Sequence, residues 1–98
     1  MLAEKVYGLL KRIPSGKVTT YKALAAAVGN PKASRAVGNI LNKNPDLIKV
    51  PCHRVVRSDG SVGGYVLGTT QKIKLLWREG VEIYAGKIRK HFILEKIR

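Results

Sequence analysis

The sequence predicts a mainly α-helical, winged helix-turn-helix-like domain with a short hairpin wing, for three reasons. The chain has 98 residues, 45% of them hydrophobic, enough for one modest core and too few for a second ordinary domain. Two short helical patterns are joined by the turn Gly29-Asn30-Pro31, and the second pattern has a polar face. Ser58-Asp59-Gly60-Ser61 follows a β-branched run and favours a hairpin turn. We therefore expect a single domain over residues 1–98.

The first helix is predicted over about residues 2–12 and is ended by Pro14-Ser15-Gly16. Its apolar residues recur at spacings of three and four, as in an amphipathic helix: Leu2, Val6, Leu9, Leu10 and Ile13. An extended piece at 17–19 then leads to Thr20, a typical N-cap residue for a second helix. The buried positions expected in that helix are Tyr21, Leu24, Ala25 and Val28.

The third helix is predicted from about Lys32 to Lys43, so the helix-turn-helix covers about residues 20–43. One face is apolar at helical spacing and should be buried: Ala33, Ala36, Val37, Ile40 and Leu41. The opposite face is small and polar, with a single charge: Arg35, Gly38, Asn39 and Asn42.

The second half of the chain mixes turns, short extended pieces and one helix. Leu47 to Val50 is apolar, Val55-Val56-Arg57 leads into the turn that could form a wing, and Gly63-Gly64-Tyr65 favours a flexible loop. A helix is expected over about 70–78, ending at Gly80, with Ile73, Leu76 and Trp77 inward. Residues 83–98 form a basic tail that is either an extended piece or a last helix, and they carry no motif that we can assign.

The charge of the chain points to a polyanionic partner. Nineteen Lys and Arg against six Asp and Glu give a formal net charge of +13. Nucleic acid is the leading candidate because each phosphate contact releases counterions and adds affinity, although such residues can also serve only to solubilise a surface. No segment resembles a signal peptide or a membrane span. The single cysteine excludes an intramolecular disulfide and multi-cysteine zinc patterns, so we expect a reducing compartment, most simply the cytoplasm.

Cys52 is a candidate nucleophile, because a thiolate is favoured by nearby basic groups. His53 and Arg54 follow it, but in a regular strand Cys52 and His53 would point to opposite faces. His53 could then serve as a base only if the chain turns at Cys52 or if a water links the two groups. The alternative is that Cys52 is a small buried hydrophobe and His53 a structural histidine. Tyr21, Tyr65 and Arg35, taken singly, also have ordinary structural explanations.

Six motifs in order, over roughly residues 3–82, resemble the O6-alkylguanine-DNA alkyltransferases. They are Ile13-Pro14-Ser15-Gly16-Lys17-Val18-Thr19-Thr20-Tyr21, Ser34-Arg35-Ala36-Val37-Gly38, Asn44-Pro45, Pro51-Cys52-His53-Arg54-Val55, Gly63-Gly64-Tyr65 and Glu79-Gly80. The resemblance implies DNA repair by direct, stoichiometric transfer of an alkyl group from O6 of guanine, with O4 of thymine as a further substrate, without a cofactor or a metal. The protein would remain alkylated and inactive.

The resemblance also implies a monomer that binds double-stranded DNA through the minor groove, where small side chains fit. The DNA-binding residues that it implies are Ser34, Arg35, Ala36, Gly38, Asn39 and Tyr21, with Ala33 also on the slim face. Arg35 would fill the gap left by the flipped nucleotide, and Tyr21 would crowd a phosphate and supply a proton to N3 of guanine.

In the implied reaction Cys52 attacks the alkyl carbon, His53 takes the thiol proton through a water, and Glu79 orients His53. Asn44 would hold the active-site turn. The implied alkylguanine pocket consists of Tyr65, the backbone N–H of Val66, the carbonyls of Cys52 and Val55, Leu41, and Lys72 as a loop brace. Lys72 could equally be a solvated helix lysine.

The chain departs from the family pattern in two ways. Most members have a further N-terminal domain, which is expected to be absent here because Met1 lies almost at the first helix. Leu47 and Leu67 occupy pocket-side positions that vary in size between members. The closest rival is a non-catalytic alkyltransferase-like protein that recognises the lesion and recruits other repair factors, but such proteins usually replace the cysteine. A transcription regulator that reads bases with Arg35, Asn39 and Asn42 is more distant, because it has no use for the relay.

Overall fold

The structure, a computed structural model, describes residues 2–97. Within that range the helices are α1 (Leu2–Leu10), α2 (Tyr21–Ala27), α3 (Ser34–Asn42) and α4 (Thr69–Arg78). The strands are β1 (Val18–Thr20), β2 (Val55–Val56), β3 (Ile83–Tyr84), β4 (Lys87–Ile88) and β5 (Ile93–Leu94), and Cys52–Arg54 and Lys90–Phe92 form 3-10 turns. The described residues thus form a small domain of four helices and two small sheets, which agrees with the helical part of the prediction.

Helices α1 to α3 pack around the first of two hydrophobic clusters, which includes Val6, Leu10, Leu24, Val37 and Leu41. The predicted N-cap is confirmed, because the Thr20 hydroxyl accepts a hydrogen bond from the Ala23 amide at 2.9 Å. The first and third helices are shorter than predicted. Helix α1 ends at Leu10 because the amides of Arg12 and Ile13 bond three residues back instead of four. Helix α3 begins after a turn in which the Ala33 amide donates to the Asn30 carbonyl.

Helix α4 buries Leu76 and half-buries Ile73 as predicted, but not Trp77. Lys72 and Leu76, four residues apart, are fully buried, whereas Trp77 is 60% exposed. A spacing of four keeps two residues on one face, and the next residue lies about 100° around the helix. The inward placement of Trp77 was therefore wrong. Leu2, Tyr21 and Val28, also expected to be buried, are only partly covered or exposed.

The basic tail over 83–98 was expected to be an extended piece or a last helix against the core. The extended alternative is confirmed as far as Leu94, because this part of the chain forms three short strands and a 3-10 turn that pack on the domain. Strand β1 lies between β2 and β5, both parallel to it, with Val18 opposite Ile93 and Thr19 opposite Val55. Strands β3 and β4 form an antiparallel hairpin. Their apolar residues join the second hydrophobic cluster, whose buried members are Val18, Val56, Val62, Leu76, Val81 and Ile88. Burial of these residues explains why a segment so basic still folds against the domain.

A hairpin turn forms where the sequence predicts it. The Gly60 amide donates to the Arg57 carbonyl at 2.9 Å, and the Arg57 amide donates to the Ser61 carbonyl at 3.0 Å. The chain does not then return along β2. Ser61 pairs with Lys87 of β4, and the Ile88 amide donates to the Gly60 carbonyl at 2.8 Å. The turn therefore connects β2 to the β3–β4 hairpin.

We expect Gly60→Ala to lower the free energy of unfolding by about 1–2 kcal/mol. Gly60 has a φ of +88°, and an added Cβ would lie 3.1 Å from the Ile88 carbonyl oxygen. The control is Gly8→Ala on α1, where a Cβ meets nothing within 4 Å. That variant should gain about 0.5–1 kcal/mol from helix propensity. Urea unfolding measures both, and equal stability of Gly60→Ala and the unchanged chain would contradict this account of the turn.

Candidate active site

Cys52 lies on a 3-10 turn between Pro51 and β2, and its residue is only 5% exposed. The turn is closed by the Arg54 amide, which donates to the Pro51 carbonyl at 3.0 Å. Because the backbone turns here, Cys52 and His53 do not alternate as they would in a strand, and both side chains are buried. The geometric objection raised by a regular strand therefore does not apply.

His53 is paired with Glu79, which directly follows α4. The His53 Nε2 and Glu79 Oε1 atoms are 3.0 Å apart. Gly80, with a φ of +86°, reverses the chain after the helix and lets Glu79 cap its end. The other ring nitrogen, Nδ1 of His53, is buried and has no hydrogen-bond partner among residues 2–97. The structure thus brings His53 and Glu79 together and leaves one imidazole nitrogen available.

The charges around this pair determine which nitrogen is basic. Burial tends to raise the pKa of Glu79, but hydrogen bonds from Arg54 and His53 outweigh it and hold the pKa below its ordinary value. Ionised Glu79 accepts a hydrogen bond from Nε2–H of His53, so the neutral ring carries its free lone pair on Nδ1. Burial lowers the pKa of His53 against the opposing effect of Glu79, which favours this neutral form.

Cys52 is a thiol rather than a preformed thiolate. Burial raises the pKa of Cys52 above its ordinary value, and the nearby Asn44 amide and the Lys72 charge only partly oppose the increase. A thiol with a raised pKa is a poor nucleophile at neutral pH. Reaction at Cys52 consequently requires a base, and the buried, unpartnered Nδ1 of the adjacent residue His53 can serve as one.

Arg54 belongs to the same hydrogen-bonded cluster, although its sequence position indicates only a cation beside Cys52. Its Nε and Nη2 donate to the two oxygens of Glu79 at 2.9 and 2.5 Å, and its Nη1 donates to the Ile13 carbonyl at 2.8 Å. This bidentate contact fixes the carboxylate that holds His53. The sequence contains one indication of this pair. The chain has only six Asp and Glu among nineteen Lys and Arg, and a partly buried carboxylate such as Glu79 needs a cationic partner.

Asn44 and Lys72 hold the backbone on either side of the turn. Asn44 Nδ2 donates to the Val50 carbonyl at 2.9 Å, and its Oδ1 accepts from the Asp46 amide at 3.0 Å. Lys72 Nζ donates to the carbonyls of Val55 and Gly64 at 2.5 and 2.9 Å. Burial lowers the pKa of Lys72 to about 8. The solvated alternative for Lys72 was therefore wrong.

The pocket residues implied by the resemblance are distributed over the core and a surface loop. The Tyr65 ring lies edge-on to His53 with centroids 6.5 Å apart, while Val66 and Leu67 are 47% and 58% exposed. Leu41 is buried in the first hydrophobic cluster beside partly buried Leu47. The Val55 carbonyl already accepts from Lys72 but retains a second lone pair.

A surface groove runs between α3 and the loop Gly63-Gly64-Tyr65, which we call the glycine loop. It is lined by Tyr21, Ser34, Arg35, Gly38, Asn39, Asn42, Arg57 and Gly64. The polar face predicted for the third helix thus forms one wall, although Ala36 does not line the groove. Arg57 on the opposite wall was missed, because in the sequence it belonged only to a predicted strand end. No cluster of metal-ligating side chains and no helix long and apolar enough to cross a membrane occur in the described part of the chain.

Comparisons with known proteins agree with these motifs. The family profile described as 6-O-methylguanine DNA methyltransferase, DNA binding domain, matches residues 1–81. A bifunctional methyltransferase/endonuclease from Picrophilus torridus is 51% identical over 83 residues, covering 85% of this chain and 28% of that protein. The methylated-DNA--protein-cysteine methyltransferase of Homo sapiens is 51% identical over 75 residues, covering 76% of this chain and 36% of that protein.

A solved structure covers nearly the whole chain. S. pombe Atl1, crystallised with damaged DNA containing O6-carboxymethylguanine, superposes with a TM-score of 0.85 at 32% identity, covering 95% of this chain and 94% of that one. The chain spans only about a third of the curated relatives it matches. The profile match, with the motifs in order and the fold, assigns the chain to the family of the 6-O-methylguanine DNA methyltransferase DNA-binding domain.

Proposed function

We propose that this chain repairs DNA by transferring a methyl or other alkyl group from O6 of guanine, or from O4 of thymine, to Cys52. The observation that carries the proposal is the His53 ring, which is bonded to Glu79 through Nε2 and has a buried, unpartnered Nδ1. Such a ring is arranged to accept a proton. Relatives at 51% identity bear methyltransferase names, which supports the same chemistry.

In the proposed reaction the thiol proton of Cys52 passes through a bridging water to Nδ1 of His53. The resulting imidazolium is stabilised by Glu79, whose charge is held by Arg54. The sulfur attacks the alkyl carbon in line, the bond between that carbon and O6 breaks, and the guanine leaves with its electron pair. Tyr21 supplies a proton to N3 of the leaving base. The thioether formed is a poor leaving group, so each chain reacts once.

The proposed DNA complex places α2 and α3 as a helix-turn-helix with α3 in the minor groove. Arg35 is exposed on the groove wall, where it can enter the base stack as a flipped nucleotide leaves. Ser34, Ala36, Gly38 and Asn39 lie along the same helix, and their small size suits close approach to the duplex. The turn at 57–61 is the proposed wing, and one chain acts on one lesion as a monomer. Damaged DNA in the S. pombe Atl1 crystal supports lesion binding by a chain of this size.

The proposed pocket for the flipped base lies between the Cys52 turn and the glycine loop. Tyr65 and the Val66 amide would contact guanine O6, the carbonyls of Cys52 and Val55 would accept from its exocyclic amine, and Leu41 would pack on its ring. Lys72 ties the two walls together through Val55 and Gly64. Asn44 keeps the approach to Pro51 in place through its bond to Val50.

Intact-mass measurement after incubation with an O6-methylguanine duplex tests the proposal. We expect the unchanged chain to gain one methyl group in place of a hydrogen, and Cys52→Ala to gain nothing. Binding to the lesion without any mass change would contradict transfer and leave only the recognition role of an alkyltransferase-like protein. The complete set Cys52, His53 and Glu79 argues against that alternative.

A further inference from the structure

The β3–β4 hairpin places four side chains in one row across a small antiparallel sheet. Arg57 is opposite Ser61 in the hairpin turn, Ser61 is opposite Lys87, and Lys87 is opposite Tyr84. Directly opposed residues of antiparallel strands present their side chains on the same face. We call Arg57, Ser61, Lys87 and Tyr84 the hairpin row.

Burial shows which face of this sheet the row occupies. Arg57, Lys87 and Tyr84 are exposed, with Tyr84 at 84%, and Ser61 is half-buried. Their chain neighbours Val56, Val62 and Ile88 are buried in the second hydrophobic cluster. The hairpin row is therefore the solvent-facing side of a sheet whose other side is buried in the core. The exposed ring of Tyr84 does not contribute to that core.

The hairpin row is continuous with the groove beside α3, because Arg57 belongs to both. An added Cβ on Gly63 would lie 3.4 Å from Arg57 Cγ and 3.6 Å from the Tyr21 hydroxyl, so the stem of Arg57 lies against the glycine loop. Asp59 lies close enough to Arg57 and Lys87 for both charges to lower its pKa, after the larger effect of its Ser61 hydrogen bonds. Both cations therefore lie near Asp59 on the same surface.

Neither cation of the hairpin row forms an ion pair with a carboxylate among the described residues. Within residues 2–97 the ion pairs are those of His53 and Arg54 with Glu79, so Arg57 and Lys87 form none. The nearest carboxylate, Asp59, accepts from the amide and hydroxyl of Ser61 at 2.9 and 2.6 Å. Two free cations beside an exposed tyrosine suit a phosphodiester backbone, which takes both ionic and hydrogen-bonding partners.

We propose that the hairpin row is a second DNA contact, with Lys87 and Tyr84 binding the phosphate backbone to one side of the lesion. The inference rests on the proposed function for the position of the DNA in the groove. Two strand spacings separate Lys87 from Arg57, or about 10 Å. Along one strand of a DNA duplex, that distance spans roughly three nucleotides. Tyr84 and Lys87 lie beyond the stretch 1–81 that the family profile matches, whereas Arg57 lies within it.

The test is the salt dependence of binding by Lys87→Gln, measured with an undamaged duplex and the full chain. Loss of one phosphate contact should reduce the slope of log K against log salt concentration by about 0.9. From that slope, the affinity deficit should be about eightfold larger at 0.1 M than at 1 M salt. Lys87→Arg, which keeps the charge, should retain the slope. Lys5→Gln on α1, outside the groove and the hairpin row, should also retain it.

A second measurement compares the affinities of Lys87→Gln and the unchanged chain for duplexes of different length. A nonspecific effect of lost charge would not depend on which flank of the lesion is shortened. Shortening the DNA on one flank of the lesion should abolish the difference between Lys87→Gln and the unchanged chain, while shortening the other flank should leave it intact. Equal slopes for all variants, or a slope loss shared by Lys5→Gln, would overturn the inference.

The mass gain of the unchanged chain, measured on the same preparation, separates this inference from the proposed function. Equal slopes with a normal methyl gain would overturn the hairpin contact alone. The predicted slope loss without a methyl gain would support the contact and contradict alkyl transfer.

Discussion

His53→Gln is expected to slow methyl transfer by about 10²–10⁴-fold at neutral pH, because a positioned general base contributes that much to a proton transfer. Burial holds the Cys52 thiol pKa above its ordinary value, so the thiol depends on His53 Nδ1 to lose its proton. Glutamine fills a similar space but cannot take the proton. The measurement is the single-turnover rate at saturating O6-methylguanine duplex, with His91→Gln, an exposed histidine change, as the control.

The pH profile distinguishes a base from a merely structural histidine. In the unchanged chain the rate should fall at acid pH as His53 is protonated, with a midpoint below the ordinary 6.5 because burial lowers its pKa. In His53→Gln that midpoint should disappear, and the rate should rise as pH approaches the pKa of Cys52. A deficit below tenfold, or one that is constant with pH, would contradict the role of His53 as base.

Arg54→Met is expected to lower the free energy of unfolding at pH 7 by about 2–3 kcal/mol, a range set by hydrogen bonds to charged groups. The change removes both bonds to Glu79 and the bond to the Ile13 carbonyl, and it leaves a largely covered carboxylate with only His53. Urea unfolding measures the loss. The control is Arg78→Met, an exposed change at the end of α4, which should cost less than about 0.5 kcal/mol.

The stabilisation by Arg54 should depend on pH in a defined direction. Hydrogen bonds from Arg54 and His53 hold the pKa of Glu79 below its ordinary 4.5, although burial opposes them. A carboxyl with a depressed folded-state pKa stabilises the protein above its unfolded pKa, and this contribution is lost as pH falls through the folded pKa. The difference between the unchanged chain and Arg54→Met should therefore shrink below pH 4.5. A difference that grows with acid would contradict the pairing.

Local sequence patterns predicted the helical half of the fold well. The apolar spacing of α1 to α3 and the hydroxyl of Thr20 are short-range signals, and the structure confirms the helices and the cap. The hairpin turn also depends on its own residues, chiefly Gly60 with its positive φ. The family assignment followed from six motifs in order, and the profile match confirms it.

Long-range contacts account for what the sequence did not reveal. The parallel pairing of β5 with β1 joins residues about 75 positions apart, as does the Thr19 hydroxyl bond to the Leu94 carbonyl. No local pattern specifies such a partner, so residues 83–98 were interpreted as a tail. Lys72 is buried because two carbonyls from other segments receive its ammonium group. The Arg54 contact with Glu79 and the placement of Arg57 in the groove likewise appear only when separate segments are brought together.

Cys52 is expected to accept one alkyl group and then to react no further. The most direct test of this claim supplies a several-fold molar excess of O6-methylguanine duplex and counts repaired guanines per chain, with the methyl group located by peptide mass analysis. We expect one guanine repaired per chain and the methyl group on the peptide that contains Cys52. Continued repair beyond one equivalent, or a methyl group on any other residue, would contradict the claim.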